Sequence, residues 1–167
     1  MTNDPQIQPV SDELLDAILD LNNRHATELS WLEREELAAL TARSFHCRII
    51  GAPETDEVAA FLMSFEQDAD YGSPNFHWFK TRYPRFVYVD RVVVDPVARG
   101  RGHARRLYED LFDVARARGQ AIVTAEVNAD PPNPASDAFH TAMDFAPVGE
   151  ADIHGGAKTV RYYVRSL

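Results

Sequence analysis

Residues 95–112 read DPVARGRGHARRLYEDLF, the densest chemistry in the chain. Gly100 and Gly102 alternate with Arg99 and Arg101, His103 and Ala104 follow, and Arg105 and Arg106 open a run with helical spacing. A helix start offers backbone N–H groups and a partial positive charge. Glycines let the backbone approach a ligand closely. Together they make an anion site. Cations at a helix N-terminus are each disfavoured by about 0.3–1 kcal/mol, so four arginines there call for a compensating anion. The alternative is a solvated basic helix start with its side chains spread into water.

Charge distribution narrows the choice of anion. The chain of 167 residues has a net charge of -9. Residues 1–98 carry 8 basic and 17 acidic side chains, residues 99–118 carry 6 and 3, and residues 119–167 carry 3 and 6. Only the arginine segment is net positive. A nucleic-acid binder shows a wider basic face, so a small phosphate-bearing ligand fits better and no nucleic-acid partner is expected. No apolar run reaches the ~18 residues of a membrane span, and the first residues lack a basic region followed by an apolar one. The one cysteine, Cys47, cannot form an internal disulfide. A reducing cytoplasm is the simplest home, and Cys47 among strand-like residues reads as core rather than nucleophile. No metal site is expected.

The elements that would position the arginine loop follow from periodicity. Residues 6–10 form a short strand. Ser11 caps a helix with Leu14, Ile18 and Leu21 on one face, and a second helix covers 31–43 with Leu37 and Leu40 inward. Residues 45–52 and 58–66 form two strands around a polar turn, and 67–85 is a long irregular segment. Residues 86–95 form a near-continuous β-branched and aromatic run, which marks a buried central strand. A helix over 102–118 ends at Gly119, which is placed to cap it. Residues 121–127 are a strand, 134–143 a short helix, and 145–153 and 159–167 two strands around a glycine turn. The expected class is α/β: one domain over 1–167, with a mixed sheet of about six or seven strands and about four helices.

The Walker pattern is absent. The dinucleotide pattern is half met, because Arg105 occupies the place of its third glycine. Arg99-Gly100-Arg101-Gly102-His103-Ala104 resembles the Q/R-x-x-G-x-G/A signature of the GNAT superfamily of N-acetyltransferases. The preceding VVVDP resembles the strand that enters that loop. NPASDAFHTAMDF resembles the family's N-x-x-S/A-x-x-F-Y-x-x-x-G-F helix, with Asn133, Ser136, Phe139 and Phe145 in place. His140 stands at the usual tyrosine and Asp144 at the usual glycine. The resemblance covers about residues 86–165.

That resemblance implies acetyl-CoA, bound between two parallel strands that splay apart, here 86–95 and 121–127. It implies pyrophosphate held by backbone N–H groups from about Arg101 to Arg105, with Arg99 and Arg105 as further phosphate partners. It also implies the pantetheine arm along Val92, Val93 and Val94, and cofactor contacts from Gly100, Gly102, His103, Ala104, Asn128, Asn133, Ser136 and Phe139. The reaction would be direct attack of an amine on the thioester, which needs a base, oxyanion donors and an acid. His140 at the tyrosine's place is open as acid, as base, or as a histidine with no role. Asp90 shares a strand face with Tyr88 and Val92, whereas Arg91 faces the other way; it is the base candidate, or else half of a structural ion pair. A base acting through water, with Tyr88 or Glu126 involved, stays open.

The acceptor is sought in 68–85. Trp78, Phe79 and Tyr83, with Tyr88, are candidates to line its pocket; the alternative is an aromatic-packed loop covering the sheet. His25 and Trp31 lie in the other candidate wall. The acidic balance favours a cationic amine, small-molecule or peptidic. Analogy with the family allows a homodimer through the last strands. Three functions remain in play: an acetyl-CoA-dependent N-acetyltransferase, a non-catalytic acyl-CoA-binding or sensing domain, and a nucleotide- or nucleic-acid-binding module.

Overall fold

The computed structural model describes residues 5–25, 29–53 and 55–167. The elements run β1 (Ile7–Pro9), α1 (Leu15–Arg24), α2 (Arg34–Arg43), β2 (His46–Gly51), β3 (Val58–Glu66), α3 (Pro74–Lys80), β4 (Val87–Val94), α4 (His103–Ala117), β5 (Ile122–Asp130), α5 (Pro134–Ala142), β6 (Ala146–Ile153) and β7 (Lys158–Ser166). The strands form one seven-stranded mixed sheet in the order β1-β2-β3-β4-β5-β7-β6. The α/β class and the strand count match the reading of the sequence. The parallel pair is β4 with β5, in register at Val87↔Val123 and Tyr88↔Thr124.

The chain forms two compact units. The first comprises Met1–Phe65 and Asp90–Leu111. Its core is built from β3, buried at every position from Val58 to Phe65, and from Leu15, Ile18, Leu21 and Leu37 on the helices. α1 and α2 present these leucines at helical spacing, and each fully buried side chain of this size contributes about 1.5–3 kcal/mol. The second comprises Glu66–Val89 and Phe112–Leu167. Phe76, Phe79, Phe86, Tyr88 and Tyr162 form its aromatic centre, each at most 1% exposed.

Three local expectations are corrected. Ser11 makes no side-chain cap; a 3-10 turn over Asp12–Leu14 precedes α1. The second helix starts later than residue 31, at Arg34, because Glu33 and Glu36 close a reciprocal capping box there. The segment 67–85 is not irregular throughout: it holds one of the five α-helices among the described residues. Ser73 accepts from the Asn75 N–H at 3.2 Å and Pro74 takes the first helical position, which starts α3.

Candidate active site

β4 delivers the chain into the arginine loop. Asp95 accepts from the Val97 N–H at 3.2 Å and from Arg24 Nη1 at 3.3 Å, which fixes the turn leaving the strand. Gly100 and Gly102 then adopt φ +78° and +76°, the left-handed region that costs other residues about 1–2 kcal/mol. A Cβ built on either glycine would meet nothing within 4 Å, so the loop has open space above its backbone. The Arg106 N–H donates to the Gly102 carbonyl at 3.0 Å and opens α4, whose first turn points its backbone N–H groups out of the helix end.

The arginines divide. Arg99, Arg101 and Arg105 are exposed, and Arg105 approaches Glu109 only at 3.8 Å. Arg106, the fourth of the cluster, donates to the Pro5 carbonyl at 2.6 Å and ties α4 to the approach to β1. His103 is buried and Ala104 half-buried. A cavity of about 130 Å³ is lined by Val92, Val93, Val94 and Arg99 together with His25 and Leu29. Trp31 stands 61% exposed and donates to Glu33.

Asp90 is buried in an ion pair. Arg91 Nε donates to Asp90 Oδ2 at 2.7 Å, and Arg91 Nη1 donates to Asn22 Oδ1 at 2.8 Å. Neighbouring strand positions leave on opposite faces, but the long guanidinium side chain reaches back to its neighbour. Both side chains are about 5% exposed, which makes each the other's compensation for burial.

The second unit gathers a different carboxylate. Glu126 Oε1 accepts from Tyr88 Oη at 2.9 Å and from Asn75 Nδ2 at 3.1 Å. Tyr162 Oη donates to Asn75 Oδ1 at 2.9 Å. Of the aromatic candidates, Phe79 and Tyr88 are wholly buried, and Phe79 packs edge-on against Trp78 and Tyr162. Trp78 stacks on Tyr162 with centroids 4.1 Å apart, and Arg82 lies 3.9 Å over the Trp78 ring. Tyr83 is half-buried beside Phe79.

In α5, Asn133 is the N-cap and accepts from the Ser136 N–H at 3.2 Å. The Asn133 N–H donates to the Asn128 carbonyl at 3.1 Å. His140 Nδ1 lies 2.8 Å from the Ser136 carbonyl; a carbonyl only accepts, so Nδ1 carries a proton. Burial lowers the His140 pKa, outweighing that hydrogen bond and the charge of Asp137, so the ring is neutral at pH 7 and Nε2 is the acceptor nitrogen. Phe139, half-buried, and Phe145 meet the ring edge-on, and Tyr163 stacks on it. Among the described residues, no helix is long and apolar enough to cross a membrane, and no cluster of His, Cys, Asp or Glu is arranged to hold a metal.

The acetyltransferase (GNAT) family model matches residues 12–145, most of the chain and parts of both units. The chain belongs to the GNAT acetyltransferase family. A search of curated proteins found no match. Solved structures share the GNAT fold at low identity. The ribosomal-protein-alanine N-acetyltransferase of Brucella melitensis is 20% identical, with a TM-score of 0.72 over 97% of this chain and 99% of that one. The yncA protein of Salmonella typhimurium, solved with its cofactor acetyl-CoA, is 19% identical with a TM-score of 0.73 over 99% and 95%. Ard1 of Thermoplasma volcanium is 11% identical with a TM-score of 0.77 over 98% of each chain.

Family membership makes this GNAT chain an acetyl-CoA-dependent N-acetyltransferase. The loop fits that cofactor: two left-handed glycines, open space over their backbone, a helix start and three exposed arginines suit a pyrophosphate. Asp144, at the GNAT glycine's place, takes φ +67°, which explains why glycine serves there. Sequence reading missed Asn75, Tyr162 and Leu29. For Asn75 the signal was Ser73-Pro74, a helix start; nothing in sequence spacing marks the other two.

Proposed function

We propose that this GNAT domain, single over 1–167 and cytoplasmic, acetylates a primary amine of a small molecule or peptide by direct attack in a ternary complex. The observation that carries the reading is the loop of Gly100 and Gly102 with Arg99, Arg101 and Arg105 at the start of α4. Acetyl-CoA, when bound, supplies a thioester carbonyl as the electrophile. Backbone N–H groups from about Arg101 to Arg105 would hold its phosphates, and Val92–Val94 would offer backbone to its pantetheine arm. Asn128, Asn133, Ser136 and Phe139 complete the cofactor set by family analogy.

Two carboxylates compete for the base. Asp90 is committed to a buried ion pair with Arg91 and is enclosed on both sides of that contact. Glu126 is half-buried and its Oε1 is held by two neutral donors, which supports it as the group that meets the acceptor. Glu126 takes one proton from the ammonium. The lone pair left on nitrogen would then form the N–C bond as the thioester C–S bond breaks, and the nitrogen's second proton would end on the leaving sulfur. Tyr88 donates to Glu126, and Trp78, Phe79 and Tyr83 pack in the aromatic cluster of the same unit; a carboxylate beside aromatics suits a cationic amine.

His140 supports a second reading. The place that the family fills with a tyrosine acid holds a neutral ring whose proton is committed to Ser136, as in a domain that binds acyl-CoA without turnover. Free-thiol release from acetyl-CoA against a panel of cationic amines, neutral amines and peptides separates the two. Amine-dependent release supports transfer. Stabilisation by CoA with no release from any amine supports the binding domain.

A further inference from the structure

Four elements of the second unit send one side chain each into a single hydrogen-bonded chain: Tyr162 from β7, Asn75 from α3, Glu126 from β5 and Tyr88 from β4. Chemistry sets its direction. A carboxylate accepts, so Asn75 must turn Nδ2 towards Glu126 and Oδ1 towards Tyr162. Tyr162 must then donate. Burial, and after it the nearby charge of Glu126, push the Tyr162 phenol up to about 12, so it keeps the proton it donates.

Each link is braced. The Asn75 backbone N–H is held by Ser73 in the first turn of α3, and Phe76 and Phe79 anchor that helix with no exposed surface. Tyr162 lies under Trp78, with Arg82 beyond. A Cβ at Gly149 would stand 2.6 Å from the Trp78 ring, so the glycine leaves that ring its place. Among the described residues, the titratable and charged groups facing Glu126 include Tyr88 from β4 and Tyr162 from β7, with Arg82 of the α3 end on the far side of Trp78.

We propose that Asn75 is a positioning residue: with Tyr162 behind it, it holds the Glu126 carboxylate oriented and ionised to take the acceptor's proton. This rests on the acetyl-transfer reading and on Glu126 as base. Two donors on one carboxylate oxygen favour its charged form, so losing one makes the group easier to protonate.

The test is the pH profile of kcat/KM for amine acetylation in wild type, Asn75→Ala, Tyr162→Phe and Glu126→Gln, with stabilisation by CoA measured on each. Glu126→Gln is expected to lose about 100-fold or more, as for a lost general base. Asn75→Ala is expected to move the acid limb to higher pH, so that its loss relative to wild type grows as pH falls and is smallest at pH 9. Tyr162→Phe, which removes one hydroxyl and preserves the ring stack, is expected to move the limb the same way by less. CoA stabilisation stays at the wild-type level throughout. An unmoved acid limb in both Asn75→Ala and Tyr162→Phe overturns the proposal, even if rates fall. If Asn75→Ala does not fold, Tyr162→Phe decides alone. A wild type that turns over no amine brings down the acetyl-transfer reading itself, a separate outcome from an active wild type with immobile limbs.

Discussion

The arginine loop and the Glu126 cluster are built on opposite principles. The loop is contiguous and exposed. Its specificity lies in backbone conformation, with φ above +70° at Gly100 and Gly102, and Arg99, Arg101 and Arg105 reach into solvent. The cluster is dispersed over positions 75, 88, 126 and 162, and its specificity lies in side-chain donors fixed by buried aromatics. A phosphate binder can be made from local backbone because phosphate offers many acceptors and tolerates solvent. A base needs one carboxylate in one orientation and charge state, which takes support from several elements.

The comparison breaks first at the loop. Gly102→Glu puts a side chain and a negative charge into the phosphate cradle and forces a non-glycine residue to φ +76°. It is expected to abolish stabilisation by CoA; a folded variant with normal CoA affinity removes the loop assignment.

Asp90→Asn sharpens the other side by separating the two carboxylates. Removing the charge leaves the buried Arg91 guanidinium without its carboxylate, at an expected cost of about 3–5 kcal/mol in stability. Denaturant unfolding reads that loss. An undiminished stability together with a displaced pH–rate profile would return the base role to Asp90.

Acid stability probes buried histidines in each unit. Burial, the largest cause, lowers the pKa of His46 despite Asp110 at 2.6 Å, and it lowers that of His140. The unfolded chain therefore binds more protons below the ordinary histidine value of 6.5. Stability is full above that pH and is expected to fall as pH drops through it. The slope is shallower in His140→Gln, and thermal melts from pH 7.5 to 5 measure it. Equal slopes in the two proteins would contradict a neutral, buried His140.

The smallest expected effect is at Asp144. Its φ of +67° suits glycine, so Asp144→Gly is expected to gain up to about 1 kcal/mol with turnover unchanged. A lowered melting temperature would mean that the aspartate side chain earns its place.

The same contrast explains what was legible in the sequence. β3 was read at its observed bounds because its apolar run is broken only by Ser64 and is preceded by a polar turn. The loop was read because glycine and arginine types sit side by side. α3 was hidden because seven residues give too short a period, although Ser73 and Pro74 marked its start. An ion pair was an open alternative for Asp90, but its partner was hidden, because strand alternation places Arg91 on the opposite face and only the fold shows the guanidinium reaching back. Tyr162 and Asn75 lie 87 residues apart, and nothing local in either segment says that they meet.

One paired measurement tests the division of labour most directly: CoA stabilisation and amine-dependent thiol release, run together on Gly102→Glu and Glu126→Gln. The account predicts that Gly102→Glu loses both, while Glu126→Gln keeps CoA stabilisation and loses release by about 100-fold or more. Release at the wild-type rate from Glu126→Gln, or loss of its CoA stabilisation in a folded protein, would contradict it.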